Sequence, residues 1–128
     1  TADQQEKGIY TISFTLGASG NDQWIEDEVG VGSGGFQIAV TGDTFSGTTT
    51  AFVSESSADT ITNGRYLIQE GETESFTLTI ELDPETTGIY GVEFDAITFA
   101  NSSSGTGSFT FNFSDRSKYE TAKLSIDG

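Results

Sequence analysis

Asp22, Glu26, Asp27 and Glu28 place four carboxylates within seven residues, the densest acidic cluster in the chain. Hard oxygen ligands at that density are what Ca²⁺ takes up. The D-x-[DN]-x-[DN]-G spacing of a Ca²⁺ loop is absent, so a solvated acidic edge is the competing reading. Asp43 and Asp115 form a second candidate pair whose proximity depends on the fold.

Covalent and acid–base chemistry finds little to work with. The chain has no His and no Cys, so there is neither imidazole nor thiolate to activate a nucleophile. No G-x-S-x-G elbow surrounds any Ser. Gly32-Ser33-Gly34-Gly35 is Gly-rich like a phosphate loop but lacks the Lys and the following helix. Glycoside hydrolysis needs two carboxylates held about 5–10 Å apart in a cleft. With 20 acids some pair meets that distance by chance, and nothing selects one. A non-enzyme with no cofactor is expected, with Ca²⁺ as the alternative.

Binding chemistry has better candidates. Trp24, Tyr66, Tyr90 and Tyr119 could stack on sugar rings if exposed in line, with Trp24 and Tyr66 the leading pair, whereas Tyr90, in phase with Val92 and Phe94, also reads as core. Rows of Thr (Thr11, Thr15, Thr77, Thr79 and Thr48 to Thr50) could form a flat ordered array, or simply the wet faces of strands. Asn101-Ser102-Ser103 and Asn112-Phe113-Ser114 match the N-glycosylation sequon. Asn101, in a loop, is the usable site. Lys7, Lys118 or Lys123 could form an isopeptide staple with an Asn, but each sits among polar residues.

Composition narrows the setting. The net charge is −15, from 20 acids against 5 bases, and such a surface repels nucleic acid and anionic lipid. No apolar run approaches the roughly 18–20 residues of a membrane helix, so membrane insertion is not expected. The length of 128 residues suits a single core, built on ten Phe, four Tyr and one Trp with no Met. A Cys-free chain with Thr-, Gly- and Asn-rich loops suits an extracellular or cell-surface module that relies on packing instead of disulfides.

The elements that must position these residues are strands. Tyr10, Ile12, Phe14 and Leu16 alternate with Thr and Ser, which predicts a strand with one dry face. Residues 1–7 read as a flexible polar leader or as part of a donated N-terminal strand, and residues 8–128 read as one sandwich domain. QWIEDEV predicts a short strand, and GVGSGG (30–35) a flexible connector. Phe36, Ile38 and Val40 give another strand, TTTAFVSE (48–55) the next, and Asn63-Gly64 a two-residue hairpin turn. Phe76, Leu78, Ile80 and Leu82 mark a long strand, turned back at PETTG. Tyr90, Val92 and Phe94 return, then the parity slips to Ile97 and Phe99, which predicts a β-bulge at Asp95-Ala96 or a strand switching between sheets there. Phe109, Phe111 and Phe113 make the next dry face, and Ala122, Leu124 and Ile126 the last. Eight to ten strands with no helical period predict an all-β, antiparallel two-sheet sandwich.

The stretch EGETESFTLTIELDPETTGIYGVEFDAITF (70–99), with its Glu-Gly-Glu turn, its strand ending Leu-Asp-Pro and its T-G-x-Y turn, resembles immunoglobulin-like modules of bacterial surface and extracellular proteins. GIYTISFTLGASGNDQWI (8–25) resembles their opening strand and turn. The antibody-type Cys pair is missing. The resemblance implies a spacer, an adhesive unit or a polymerised subunit, with no catalytic residues. The expected function is therefore a structural subunit of a cell-surface filament, layer or adhesive assembly. Its partners would be identical subunits or neighbouring surface domains, joined by donation of the strand carrying Tyr10, Ile12, Phe14 and Leu16. A carbohydrate-binding module is the alternative.

Overall fold

Strict alternation gives each strand one apolar face, and the chain covers these faces by packing two sheets against each other. The structure, a computed structural model, describes residues 6–58, 60–105, 107–112 and 119–128. Among them the strands are β1 (Gly8–Gly17), β2 (Gln23–Glu26), β3 (Val29–Val31), β4 (Phe36–Gly42), β5 (Gly47–Ser56), β6 (Ile61–Thr62), β7 (Arg65–Ile68), β8 (Thr73–Pro84), β9 (Gly88–Ala100), β10 (Phe109–Asn112) and β11 (Leu124–Ile126). No α-helix occurs among the described residues. The smaller sheet has the order β1-β8-β5. The larger runs β3-β4-β9-β2-β7-β6, with β10 and β11 also on β9. The pairs are antiparallel except β3 with β4, so the architecture is the expected antiparallel β-sandwich.

Each sheet is organised about its longest strand. β8 pairs along its length with β1, from Gly8 opposite Leu82 to Gly17 opposite Thr73, and with β5 on its other edge. β9 carries β4 and β2 on one edge and β10 and β11 on the other. The buried faces of β8 (Phe76, Leu78, Ile80, Leu82) and β9 (Tyr90, Val92, Phe94, Ile97) meet in one core with Phe36, Ile38, Ile25 and Ile68. Phe14, Phe36, Phe76 and Phe94 bridge the sheets, with ring centroids 4.5 Å apart for Phe14–Phe94 and 5.4 Å for Phe36–Phe76. Rigid rings fill the interior in place of the flexible Met that the chain lacks.

Local signals hold where the chemistry is local. Asn63 (φ 55°) and Gly64 (φ 72°) turn β6 into β7 with Thr62 opposite Arg65, the two-residue turn that positive φ at both positions permits. Gln37 pairs with Ala96 and Ile38 with Phe94, which leaves Asp95 as the extra residue of a bulge. The bulge switches the buried parity from Phe94 to Ile97, as the sequence predicted.

Three expectations are corrected. Residues 30–35 are not a flexible connector: Val29–Val31 is a strand, and Glu28 O accepts from the backbone N of both Gly35 and Phe36. Gly35 is buried, and a Cβ there would run into Glu26 O, so glycine here serves close backbone approach and not mobility. Phe109 and Phe111 do not enter the core; they are about half exposed, at 51% and 54%. They stand on β10, paired with Phe99 and Ile97 of β9 in the larger sheet. Leu124 is likewise exposed, and only Ile126 of the closing strand is buried. Phe113, Asp115 and Lys118 lie outside the described residues, as does most of the leader. Glu6 N donates to Asp127 O at 3.0 Å.

Two tyrosines tie the sheets at one end. Tyr10 Oη donates to Tyr90 O at 2.7 Å, and Tyr90 Oη donates to Thr86 O at 2.7 Å. Burial raises the Tyr10 pKa above its ordinary 10.0. Tyr66 is raised as well, first by burial and then by the negative charge of Asp27. Above about pH 10 the unfolded chain ionises these phenols while the fold keeps them protonated. Their contribution to stability is therefore complete below that pH and is lost as the pH rises through the folded values. Tyr10→Phe should cost about 1 kcal/mol at neutral pH, from the lost hydrogen bond, and should flatten the alkaline fall. Urea unfolding at about pH 7 and about pH 11 measures both.

Candidate functional site

Alternation along β2 sends Ile25 into the core and Trp24 to the outer face of the larger sheet. Along β7 it sends Tyr66 and Ile68 inward and leaves Arg65 outside. In the β2–β7 register Glu26 stands opposite Arg65 and Trp24 opposite Leu67, whereas Tyr66 stands opposite Ile25. Trp24 and Tyr66 consequently lie on opposite faces, and the two-ring platform expected from the sequence does not form. Tyr66 is 8% exposed, with its ring 5.4 Å from Phe76. It is a core residue, because its strand parity matches Ile25.

Trp24, half-buried, lines a cleft of about 290 Å³ together with Glu26, Gln37, Arg65, Thr98 and Ser108. Arg65 organises it. Its Nη2 donates to Glu26 Oε1 at 3.1 Å, and its Nη1 donates to Ser103 O at 3.1 Å and to Asn63 O at 3.3 Å. Asn63 Nδ2 donates to the same Ser103 O at 3.3 Å. The β6–β7 turn thus anchors the β9–β10 loop that forms one wall. Gly105 in that wall has φ +87°, and a Cβ there would sit 2.7 Å from Arg65 Nη2. On the floor Gln37 Nε2 donates to Thr98 Oγ1 at 3.1 Å and to Gly34 O at 3.3 Å.

Of the four acids of the expected Ca²⁺ site, Glu26, Asp27 and Glu28 line one shallow cleft beside the Asn63-Gly64 turn, and each of the four has its own local contacts. Asp22 Oδ1 accepts from Glu70 N at 2.8 Å. Glu26 is paired with Arg65. Asp27 N donates to Gly64 O, and Glu28 contributes its backbone carbonyl to the turn before β4. Among the described residues no group of three or more acidic side chains converges where a metal ion could be held. Asp43 closes a turn, with its Oδ2 accepting from Ile89 N at 2.9 Å. Of the lysines, Lys7 meets Glu81 at 3.2 Å and Lys123 meets Glu120 at 3.9 Å. Neither contact is with an Asn. Asn101 is exposed in the β9–β10 loop.

The strand named for donation lies in its own sheet. Tyr10 and Ile12 are buried, and Phe14 and Leu16 are half-buried against the core. Between Gly8 and Gly17 β1 pairs with β8 alone, and among the described residues no strand pairs with its other edge. That stretch carries no charge and no Pro, the devices that blunt an edge strand. Its outward residues lie in the Thr/Ser face of the smaller sheet, where Ser13 and Thr77 hydroxyls are 2.9 Å apart and Thr79 Oγ1 donates to Ser54 Oγ at 2.8 Å.

Sequence reasoning missed Arg65, Gln37 and Thr98. A signal existed for each: Arg65 follows the Asn-Gly turn, and Gln37 and Thr98 occupy the outward parity of their strands. Comparison with protein-family models, curated proteins and solved structures gives no match.

Proposed function

We propose that the protein is a non-catalytic, immunoglobulin-like structural module of an extracellular surface, a subunit of a filament, layer or adhesive assembly. Its topology carries this reading. The order β1-β8-β5 facing β4-β9-β10 parallels the B-E-D and C-F-G strand orders of immunoglobulin-like sandwiches. The β8–β9 connection passes between sheets as E–F does. The Tyr90 hydroxyl, turned back onto Thr86 O, has the form of that fold's tyrosine corner. The edge of β1 corresponds to the place of strand A.

Self-association through β1 is the assembly mode this favours. β1 is held along one edge only, yet it supplies Tyr10, Ile12, Phe14 and Leu16 to the core. The same strand from a neighbouring copy would make the same contacts, so exchange loses few of them. Copies carrying −15 each repel, and salt screens that repulsion, so assembly should strengthen with ionic strength.

The chain has no Cys, which permits a clean test. Thr11 and Thr79 are exposed or half-buried register partners on β1 and β8. A Thr11→Cys/Thr79→Cys disulfide would lock β1 at home. By size exclusion and electron microscopy, the reduced variant should assemble like the wild type and the oxidised one should remain monomeric. Equal assembly by both forms ends strand exchange, and a wild type monomeric at every salt concentration ends the assembly reading itself.

A further inference from the structure

The cleft over Trp24 lies on the sheet opposite β1, and its chemistry is independent of assembly. We infer that it binds a neutral saccharide, taking a monosaccharide or disaccharide unit of a glycan. Three observations converge on that ligand class. Trp24 lines the cleft half-buried, held in place by β2, and an indole surface packs against the apolar C–H face of a sugar ring. The polar lining mixes the guanidinium donors of Arg65 with acceptors, the carboxylate of Glu26 and the amide oxygen of Gln37, whose two N–H groups are already donated to Thr98 and Gly34. Sugar hydroxyls need donors and acceptors together. Finally, Arg65 and Glu26 already neutralise each other at 3.1 Å, so neither an anion nor a cation finds a free countercharge. The net charge of −15 further disfavours acidic glycans.

The site is built before the ligand arrives. Arg65 and Asn63 hold the loop wall through Ser103 O, Gly105 admits the guanidinium, and Gln37 is fixed by Thr98 and Gly34. Binding therefore orders little new structure. A volume of about 290 Å³ lies just below the range of about 300–1,000 Å³ for drug-sized ligand sites. A short sugar unit suits that size better than a long buried ligand.

The chain has one Trp, so one indole N–H resonance reports on the cleft. ¹⁵N-labelled protein would be titrated with cellobiose, maltose, lactose, mannobiose and N,N′-diacetylchitobiose to about 10 mM, well above a Kd of about 1 mM. At least one sugar should shift the Trp24 indole, the Gln37 side-chain amide and the Gly105 amide together. Trp24→Ala should weaken that binding by about tenfold or more. Phe52→Ala, an exposed ring on the other sheet, should leave it unchanged. If Trp24→Ala does not fold, Gln37→Ala serves for the same reading. The inference is overturned if no sugar moves these three signals, if binding survives loss of Trp24, or if only sialylated or uronic oligosaccharides bind.

Discussion

Phe36→Ala lowers stability by about 3–5 kcal/mol, the range for emptying a buried aromatic site. Phe36 has no exposed surface. Its ring lies 5.9 Å from Phe14, 5.4 Å from Phe76, 6.3 Å from Tyr66 and 6.4 Å from Phe94. It therefore joins β1, β8, β7 and β9 at a single point. These neighbours are rigid rings on hydrogen-bonded strands, so they collapse poorly into the space left behind, and the loss should fall toward the upper end. For a domain of this size the melting temperature should drop by roughly 10–20 °C. Phe52→Ala, at an exposed Phe, should stay within about 0.5 kcal/mol of the wild type. Thermal and urea unfolding followed by circular dichroism compare the two. Similar losses would contradict an aromatic core centred on Phe36.

Gly42→Val is the second large effect, at about 3 kcal/mol. Gly42 has φ +96°, a conformation that costs a β-branched residue about 1–3 kcal/mol. It also closes the β4–β9 pair opposite Tyr90, where a Cβ would collide with Ile89 O. That carbonyl accepts from Asp43 N at 2.9 Å, so moving it aside loses about 1 kcal/mol more. Gly20→Val separates the two causes. Gly20 has a similar φ of +90° with nothing within 4 Å of its missing Cβ, so it should show the backbone strain alone. Denaturation midpoints of the two variants should differ, with Gly42→Val the lower. Equal midpoints would mean that crowding at Ile89 is absent in solution.

The sequence was most informative where a residue's fate depends on its own strand. Phe76, Leu78, Ile80 and Leu82 alternate without interruption and are all buried. The parity slip after Phe94 appears as the bulge at Asp95. The pattern could say which way Phe109, Phe111 and Leu124 point, but not whether the opposite sheet extends over them. That depends on how the two sheets are paired and offset, which no local signal encodes. Gly35 misled for a related reason, since its purpose is set by the backbone of Glu26 and Glu28.

The cleft was half legible. Trp24 stood out as a single large ring among acids. Its partners did not, because Gln37, Arg65 and Thr98 come from three separate strands and meet only through the register of β2, β4, β7 and β9. Tyr66 looked equivalent to Trp24 in type, and only its pairing opposite Ile25 places it on the buried side.

The pairing of β1 with β8 sets an order of events during synthesis. Gly8 meets Leu82 and Gly17 meets Thr73, so the first strand emerges from the ribosome long before its neighbour exists. β4 likewise waits for β9 on one edge, while β2 can pair first with β7. Such distant pairings make folding slow, on a scale of milliseconds to seconds. Until β8 and β9 have been made, a nascent chain of this design lacks the central strand of either sheet.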